Sequence, residues 1–181
     1  MNEGLLNQAQ EQMQKAVAYF KNEIAGLRTG RASTALVEEI KVEYYGSKVP
    51  LKQLSNVSIP EANQILIQLW DSNAVPLVEK AISEALGLNP QRQGNTIRIN
   101  LPPLTQERRK ELVKMLNKMT EEARVAVRNI RKDIKSAIES REGVSQDEVK
   151  RDLDKLQKLT DKFIEEINAL SQAKEREIMG G

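Results

Sequence analysis

Lys110, Arg124, Arg128, Arg131, Lys132 and Lys135 are the side chains whose type and spacing could do chemistry. On a helix turning ~100° per residue they share a sector at about 100–200°, with the apolar stripe centred near ~20°. Lys114 lies at the edge of that sector. Glu107, Glu111, Glu122 and Asp133 fall on the other flank, at about 220–300°. Only Glu121 and Glu139 interrupt the basic side. The chemistry on offer is phosphate binding, because guanidinium forks match phosphate oxygens. A solvated helix face laced with i,i+4 ion pairs is the other open reading. An RNA held by such a flank would be gripped by shape and backbone, since no aromatic-rich sheet is there to stack bases. Tyr44-Tyr45 could stack, although neighbouring strand aromatics more often reflect sheet packing.

Bond-making chemistry is poorly supplied. The 181 residues include no cysteine and no histidine. Disulfides, Cys or His metal sites, thiol chemistry and His-based triads are therefore excluded. Asp71, Glu61 and Glu84 could form a carboxylate pair only if the fold happened to join them. Gly87 and Gly94 are isolated, and neither precedes Lys-Ser or Lys-Thr, so there is no phosphate-cradling loop. Ser33-Thr34 follow Arg31 without a base to activate them. Asp147, Glu148, Asp152 and Asp154 suit a helix N-terminus and lack calcium-loop spacing. The expectation is a protein with no catalytic residues, no metal, no cofactor and no small-molecule substrate.

Charge by region says more than the net +2. Residues 1–29 carry three basic and three acidic groups, and residues 30–103 carry seven of each. Residues 104–141 carry eleven basic and six acidic, and residues 142–181 seven and ten. The positive excess thus belongs to one segment. No 18 apolar residues run together, so no membrane span is expected. The start, Met1-Asn2-Glu3-Gly4-Leu5-Leu6, lacks the layout of a signal peptide, and a cytoplasmic location is the expectation.

The elements that must position the basic side chains follow from proline and periodicity. All six prolines lie between residues 50 and 103. The proline-free ends read as helices. Leu5, Ala9, Met13, Ala16, Phe20, Ile24 and Leu27 predict a first helix over about residues 3–28. Thr105 is a good N-cap for a second helix, after Pro102-Pro103. Its apolar face (Leu112, Leu116, Met119, Ala123, Val127, Ile130, Ile134, Ala137) carries it to a Gly143 C-cap, roughly 57 Å of helix. Ser145-Gln146-Asp147-Glu148 is a capping box, with Val144 and Val149 as its hydrophobic staple. Val149, Leu153, Leu156, Thr160, Phe163, Ile167 and Leu170 then repeat with 4-3-4-3 spacing.

Three such stripes fit an elongated three-helix bundle, favoured over intermolecular coiling by the short Gly143 turn. In the middle, residues 39–44 alternate as a strand and Gly46-Ser47 turns it back toward Val49 and Leu51. Residues 65–70 form a more buried strand, Val75 to Leu86 a helix ended by Gly87, and residues 96–101 a further strand. The fold class is α+β: a helical domain of 1–29 and 104–181, and an inserted α+β domain of 30–103. The chain crosses between them near Gly30 and near Pro102-Pro103, which suggests a hinge.

Distinctive blocks run along the chain. Leu27-Arg28-Thr29-Gly30-Arg31-Ala32-Ser33 leads to Val42-Glu43-Tyr44-Tyr45-Gly46-Ser47 and Pro50-Leu51. Glu79-Lys80-Ala81-Ile82, Leu86-Gly87-Leu88-Asn89-Pro90, Ile97-Arg98 and Leu101-Pro102-Pro103-Leu104-Thr105 follow. Then come Glu107-Arg108-Arg109-Lys110-Glu111-Leu112, Ala126-Val127-Arg128-Asn129-Ile130-Arg131 and Gln157-Lys158-Leu159-Thr160-Asp161. In this order and spacing the chain resembles the bacterial ribosome recycling factor family over nearly its whole length. Lys132 departs from it, where many members carry a second arginine.

The resemblance implies an L-shaped molecule, tRNA-like in outline, with a three-helix bundle and a small β/α/β domain. It implies a factor without a catalytic site that binds the ribosome after termination. With the GTPase elongation factor G it would split the ribosome into subunits and release mRNA and tRNA. The bundle would rest on large-subunit rRNA, and the small domain would rotate and meet the GTPase. Carried over by motif, the RNA contacts are Arg28, Arg31, Arg109, Lys110, Arg128, Arg131 and Lys132. Arg124 and Lys135 join them from the helical projection, and Gly30, Pro102 and Pro103 are hinge residues. Helix C-terminal charge complementation is the competing role for Arg28. The expected state is a monomer without membrane contact. A dimeric coiled-coil scaffold and an enzyme working through carboxylate, Lys or Tyr are the rivals.

Overall fold

The computed structural model describes residues 3–180; Met1 and Asn2, part of the start read above, and Gly181 lie outside the described residues. In chain order the elements are α1 (Glu3–Ala25), α2 (Ala35–Glu38), β1 (Lys41–Tyr44), β2 (Ser47–Pro50), β3 (Ser55–Glu61) and β4 (Gln64–Leu69). There follow α3 (Val75–Leu86), β5 (Gln91–Gln93), β6 (Thr96–Asn100), α4 (Gln106–Glu139) and α5 (Gln146–Ile178). They pack as two compact units, one holding the chain up to Thr29 and from Thr105 onward, the other Gly30–Leu104.

The first unit is three helices around one core. From α1, Ala9, Met13, Val17, Phe20 and Ile24 are buried. Val17 takes a place the predicted stripe gave to Ala16, which is half-buried. The helix ends at Ala25, before the expected residue 28; Gly26 and Leu27 continue only as a turn, donating to the carbonyls of Glu23 and Ile24. Thr105 caps α4, its Oγ1 accepting from the Arg108 N–H at 3.0 Å. The 34 residues of α4 span about 51 Å. It stops at Glu139 and not at Gly143. The Ser140 hydroxyl donates to the Ser136 carbonyl at 2.7 Å and Arg141 Nε to the Ile138 carbonyl at 3.1 Å. Side chains thus satisfy the last carbonyls, the C-cap is Ser140, and Gly143 supplies a left-handed turn residue at φ 71°.

Ser145 caps α5 as expected, accepting from the Glu148 N–H at 3.2 Å. Leu156, Thr160, Phe163 and Ile167 of the 4-3-4-3 seam are buried, while Val149, Leu153 and Leu170 are half-buried. A buried Asp152 takes the place of an apolar residue in the first turns and pairs with Arg141 at 2.8 Å. Thr120 meets Ser171 at 2.9 Å, and Arg124 Nε donates to Asn168 Oδ1 at 2.9 Å. These three pairs set α4 and α5 antiparallel. Within the core the hydroxyls of Thr120 and Thr160 donate to the Leu116 and Leu156 carbonyls. Each polar side chain is thereby satisfied inside its own helix.

The second unit is a four-stranded antiparallel sheet, order β3-β4-β6-β5, with a separate β1–β2 hairpin and α3. Ile65 opposes Ile99 and Ile67 opposes Ile97, all fully buried, so one sheet face is apolar. Val78 and Ile82 of α3, Val42 of β1, Leu51 and Val37 complete that core. Two strands lie outside the sequence expectation. β3 is nearly all exposed beyond Ser55, and β5 is three exposed residues. The hairpin turn is Tyr45-Gly46, at φ 49° and 81°, and Ser47 already belongs to β2. Two positive φ values suit the primed turns that match strand twist. β4 alternates and is not buried throughout, and Trp70 lies past its end, 68% exposed.

Candidate nucleic-acid interface

Arg124, Arg128, Arg131, Lys132 and Lys135 lie within three turns of α4, along about 17 Å of axis. The opposite face carries Leu112, Leu116, Thr120, Ala123, Val127, Ile134 and Ile138 into the core. Burial of that face fixes the rotation of the helix, and so turns the basic flank to solvent. Arg128, Lys132 and Lys135 are exposed; Arg124 and Arg131 are half-buried. Their stems then lie along the bundle surface while the heads stay wet.

Glu121 reaches into this group. Its Oε2 is 3.1 Å from Arg124 Nη1 and its Oε1 is 3.4 Å from Arg128 Nη1. Lys135 pairs with Glu139 at 3.8 Å. Arg131 and Lys132 take part in no ion pair among the described residues. The surface therefore has a paired half at 121–128 and a patch at 131–132 without ion pairs among the described residues. Asn168 of α5 is the member that sequence reasoning missed. Only the α4–α5 register could have pointed to it, and that register rests on side-chain pairs invisible before folding.

Arg109 and Lys110 stand about 21 Å back along the helix from Arg124. Lys110 is exposed. Arg109 is half-buried, its Nε enclosed without a hydrogen-bond partner and its guanidinium against the backbone of Gly180. Arg28 belongs to the first unit, just past α1, is exposed and takes part in an interaction of its own. Arg31 is exposed and belongs to the second unit.

Within the second unit, the segments carrying Gly30 and Pro102-Pro103 run side by side. A Cβ on Gly30 would sit 3.3 Å from Leu104 Cγ and 3.7 Å from the Pro102 carbonyl oxygen. The Ala32 N–H donates to the Ala62 carbonyl at 2.7 Å, and the Leu101 N–H to the Asn63 carbonyl at 2.8 Å. Both segments are thus lashed to the β3–β4 turn. Gly30 has φ 77°, a conformation that glycine adopts without strain.

The carboxylates of this unit are not gathered. Asp71 accepts from the Tyr44 hydroxyl at 2.6 Å and from the Asn73 N–H at 2.9 Å. The hydrogen bond to Asp71, then desolvation, pushes the Tyr44 phenol up to about 12. The same bond, then that from Asn73, holds the Asp71 carboxyl below its usual range. Glu61 and Glu84 are exposed. Among the described residues no three His, Cys, Asp or Glu side chains are grouped to hold a metal, and no helix is long and apolar enough to cross a membrane. The Tyr45 ring is 77% exposed and sits edge-on to Tyr44, with ring centroids 4.5 Å apart.

Comparison with known proteins gives one consistent family. The pattern of a family described as ribosome recycling factor matches residues 20–179. The chain is 67% identical to the ribosome-recycling factor of Hydrogenobaculum over 178 residues, 98% of each chain. It is also 67% identical to that of Aquifex aeolicus over 177 residues, 98% of this chain and 96% of the other. A solution structure of the ribosome recycling factor shares 66% identity at a TM-score of 0.83, covering 99% of this chain and 98% of that one. A second structure shares 43% identity at a TM-score of 0.67, covering 99% and 100%. It is described as models for the T. thermophilus ribosome recycling factor and the E. coli elongation factor G bound to the E. coli post-termination complex.

Proposed function

This chain belongs to the ribosome recycling factor family, and on that premise we propose that it binds the post-termination ribosome and, with the GTPase elongation factor G, drives its separation into subunits, releasing mRNA and tRNA. The observation that carries the reading is the basic flank of α4, with Arg131 and Lys132 unpaired on a helix whose rotation the core fixes. The helical unit is the RNA-binding domain and large-subunit rRNA its ligand. Arg124, Arg128, Arg131, Lys132 and Lys135 take the phosphates, with Lys110, Arg109, Arg28 and Arg31 as outlying contacts. Arg109 contributes less than the exposed Arg128, Lys132 and Lys135 of the flank, because its guanidinium lies beside Gly180. The paired segments at Gly30 and Pro102-Pro103 serve as the hinge about which the small unit is moved by the GTPase. Binding energy is the working principle, no bond is made or broken by this chain, and it acts as a monomer in the cytoplasm.

Sedimentation with large ribosomal subunits at stepped salt tests this. Phosphate contacts release counterions, so binding must fall with salt. Arg131→Ala is expected to weaken binding about tenfold at low salt, as loss of one charge-assisted contact implies, and to leave the melting temperature within a degree or so. Unchanged affinity across the titration would refute the assignment of the flank.

A further inference from the structure

We propose that Glu121 is an internal competitor for the phosphate that Arg124 and Arg128 would take. This rests on the phosphate-binding reading of the α4 flank. The Glu121 carboxylate gives one oxygen to each guanidinium, at 3.1 and 3.4 Å. Two oxygens of a phosphodiester would bridge the pair in the same way. Arg124 is held from behind, its Nε donating to Asn168 across the α4–α5 interface at 2.9 Å. Its outward edge therefore stays aimed at whatever anion stands at Glu121's place.

The side chains are accessible enough for the exchange. Relative exposure is 30% for Arg124, 54% for Arg128 and 55% for Glu121. Ion pairs this wet are weak, so a phosphodiester replaces the carboxylate at little cost. The carboxylate still has to be displaced and its charge still opposes the RNA. Glu121 thus lowers the affinity of the flank while keeping the two arginines arranged for it. That suits a protein that must leave its ligand after each round. Glu122, the next residue, is exposed, lies on the acidic side and joins none of these pairs, so it controls for charge alone.

The test uses the full chain, purified large ribosomal subunits and sedimentation at stepped salt. Glu121→Gln keeps the size of the side chain and removes its charge. It is expected to tighten binding about threefold at low salt, the scale of exposed ion pairs. It should also steepen log K against log salt by about one, as one added phosphate contact would. Glu122→Gln should give less than half that gain. Equal gains from the two variants would overturn the proposal, because charge alone would then explain them. Unchanged or weaker binding by Glu121→Gln, with Arg131→Ala still impaired, would overturn it and leave the RNA face standing. If Arg131→Ala also bound normally, the RNA face would fall with it.

Discussion

Tyr44 and Asp71 stand 27 positions apart in the sequence, yet their hydrogen bond is 2.6 Å long and pins the β1–β2 hairpin to the chain beyond β4. Its pH dependence has a definite sign. The Tyr44 pKa is raised to about 12 in the folded state, so the contribution is complete below about pH 10, the ordinary tyrosine value. It is lost as pH rises from there toward 12. Asp71, whose folded pKa is depressed, loses its contribution as pH falls through the acid range. Tyr44→Phe should therefore melt at a lower temperature than the parent at pH 7, with the gap narrowing between pH 10 and 12. A constant gap would show that the bond is not the cause. Arg141 and Asp152 are a different case, with side chains only 17% and 7% exposed. Asp152→Ala leaves a half-buried guanidinium without its acid and should cost about 2–3 kcal/mol in urea unfolding, somewhat below the loss for fully buried pairs. Arg141→Met with Asp152→Leu should recover most of it.

Helices were far more legible than strands, and the reason is physical. α3 runs from Val75 to Leu86 with Gly87 in a left-handed C-cap, as its apolar spacing and terminal glycine predict. Thr105 and Ser145 both act as caps because a hydroxyl in the right place needs no tertiary partner. β3 and β5 left no comparable trace. As outer strands of the sheet they bury little, and Pro60 in β3 argues against a strand unless an edge is available. Asp152 reads in the sequence as one of the acids at a helix N-terminus, and its burial against Arg141 could not be read because that partner sits across a turn. For the basic flank, residue type and rotation could be read from the sequence; Glu121's bridge and Asn168's support needed side-chain geometry. At the element level Phe20 is the clearest test of α1 docking, being fully buried. Phe20→Ala should destabilise the helical unit by about 3–5 kcal/mol in denaturant unfolding; a loss under ~1 kcal/mol would mean that α1 is not held by its apolar stripe.

Two units with separate cores should respond separately. Hydrogen exchange in Phe20→Ala is expected to speed up at Leu116 and Phe163 while Ile65 and Ile97 keep their protection. The segments joining the units carry their own prediction. Gly30→Ala must adopt φ 77° and meet Leu104 at 3.3 Å, which should cost about 1–2 kcal/mol. If those segments form the hinge, the same variant binds large subunits normally and splits ribosomes several-fold more slowly. Splitting at the parent rate would remove Gly30 from the mechanism.

The insertion of the small unit between α1 and α4 also sets an order of events during synthesis. Everything the sheet and α3 require has been made once Leu104 is added, whereas α1 waits for partners that end at Ile178. At ~5–20 residues per second the interval from Leu104 to Ile178 lasts roughly 4–15 s. At its start the nascent chain holds a finished small unit and a first helix whose Met13, Phe20 and Ile24 lack both α4 and α5 to cover them. α1 is thus made before both of its helical partners and is buried only after the small unit is complete, so in a chain stalled there its apolar face is open to proteases and chaperones.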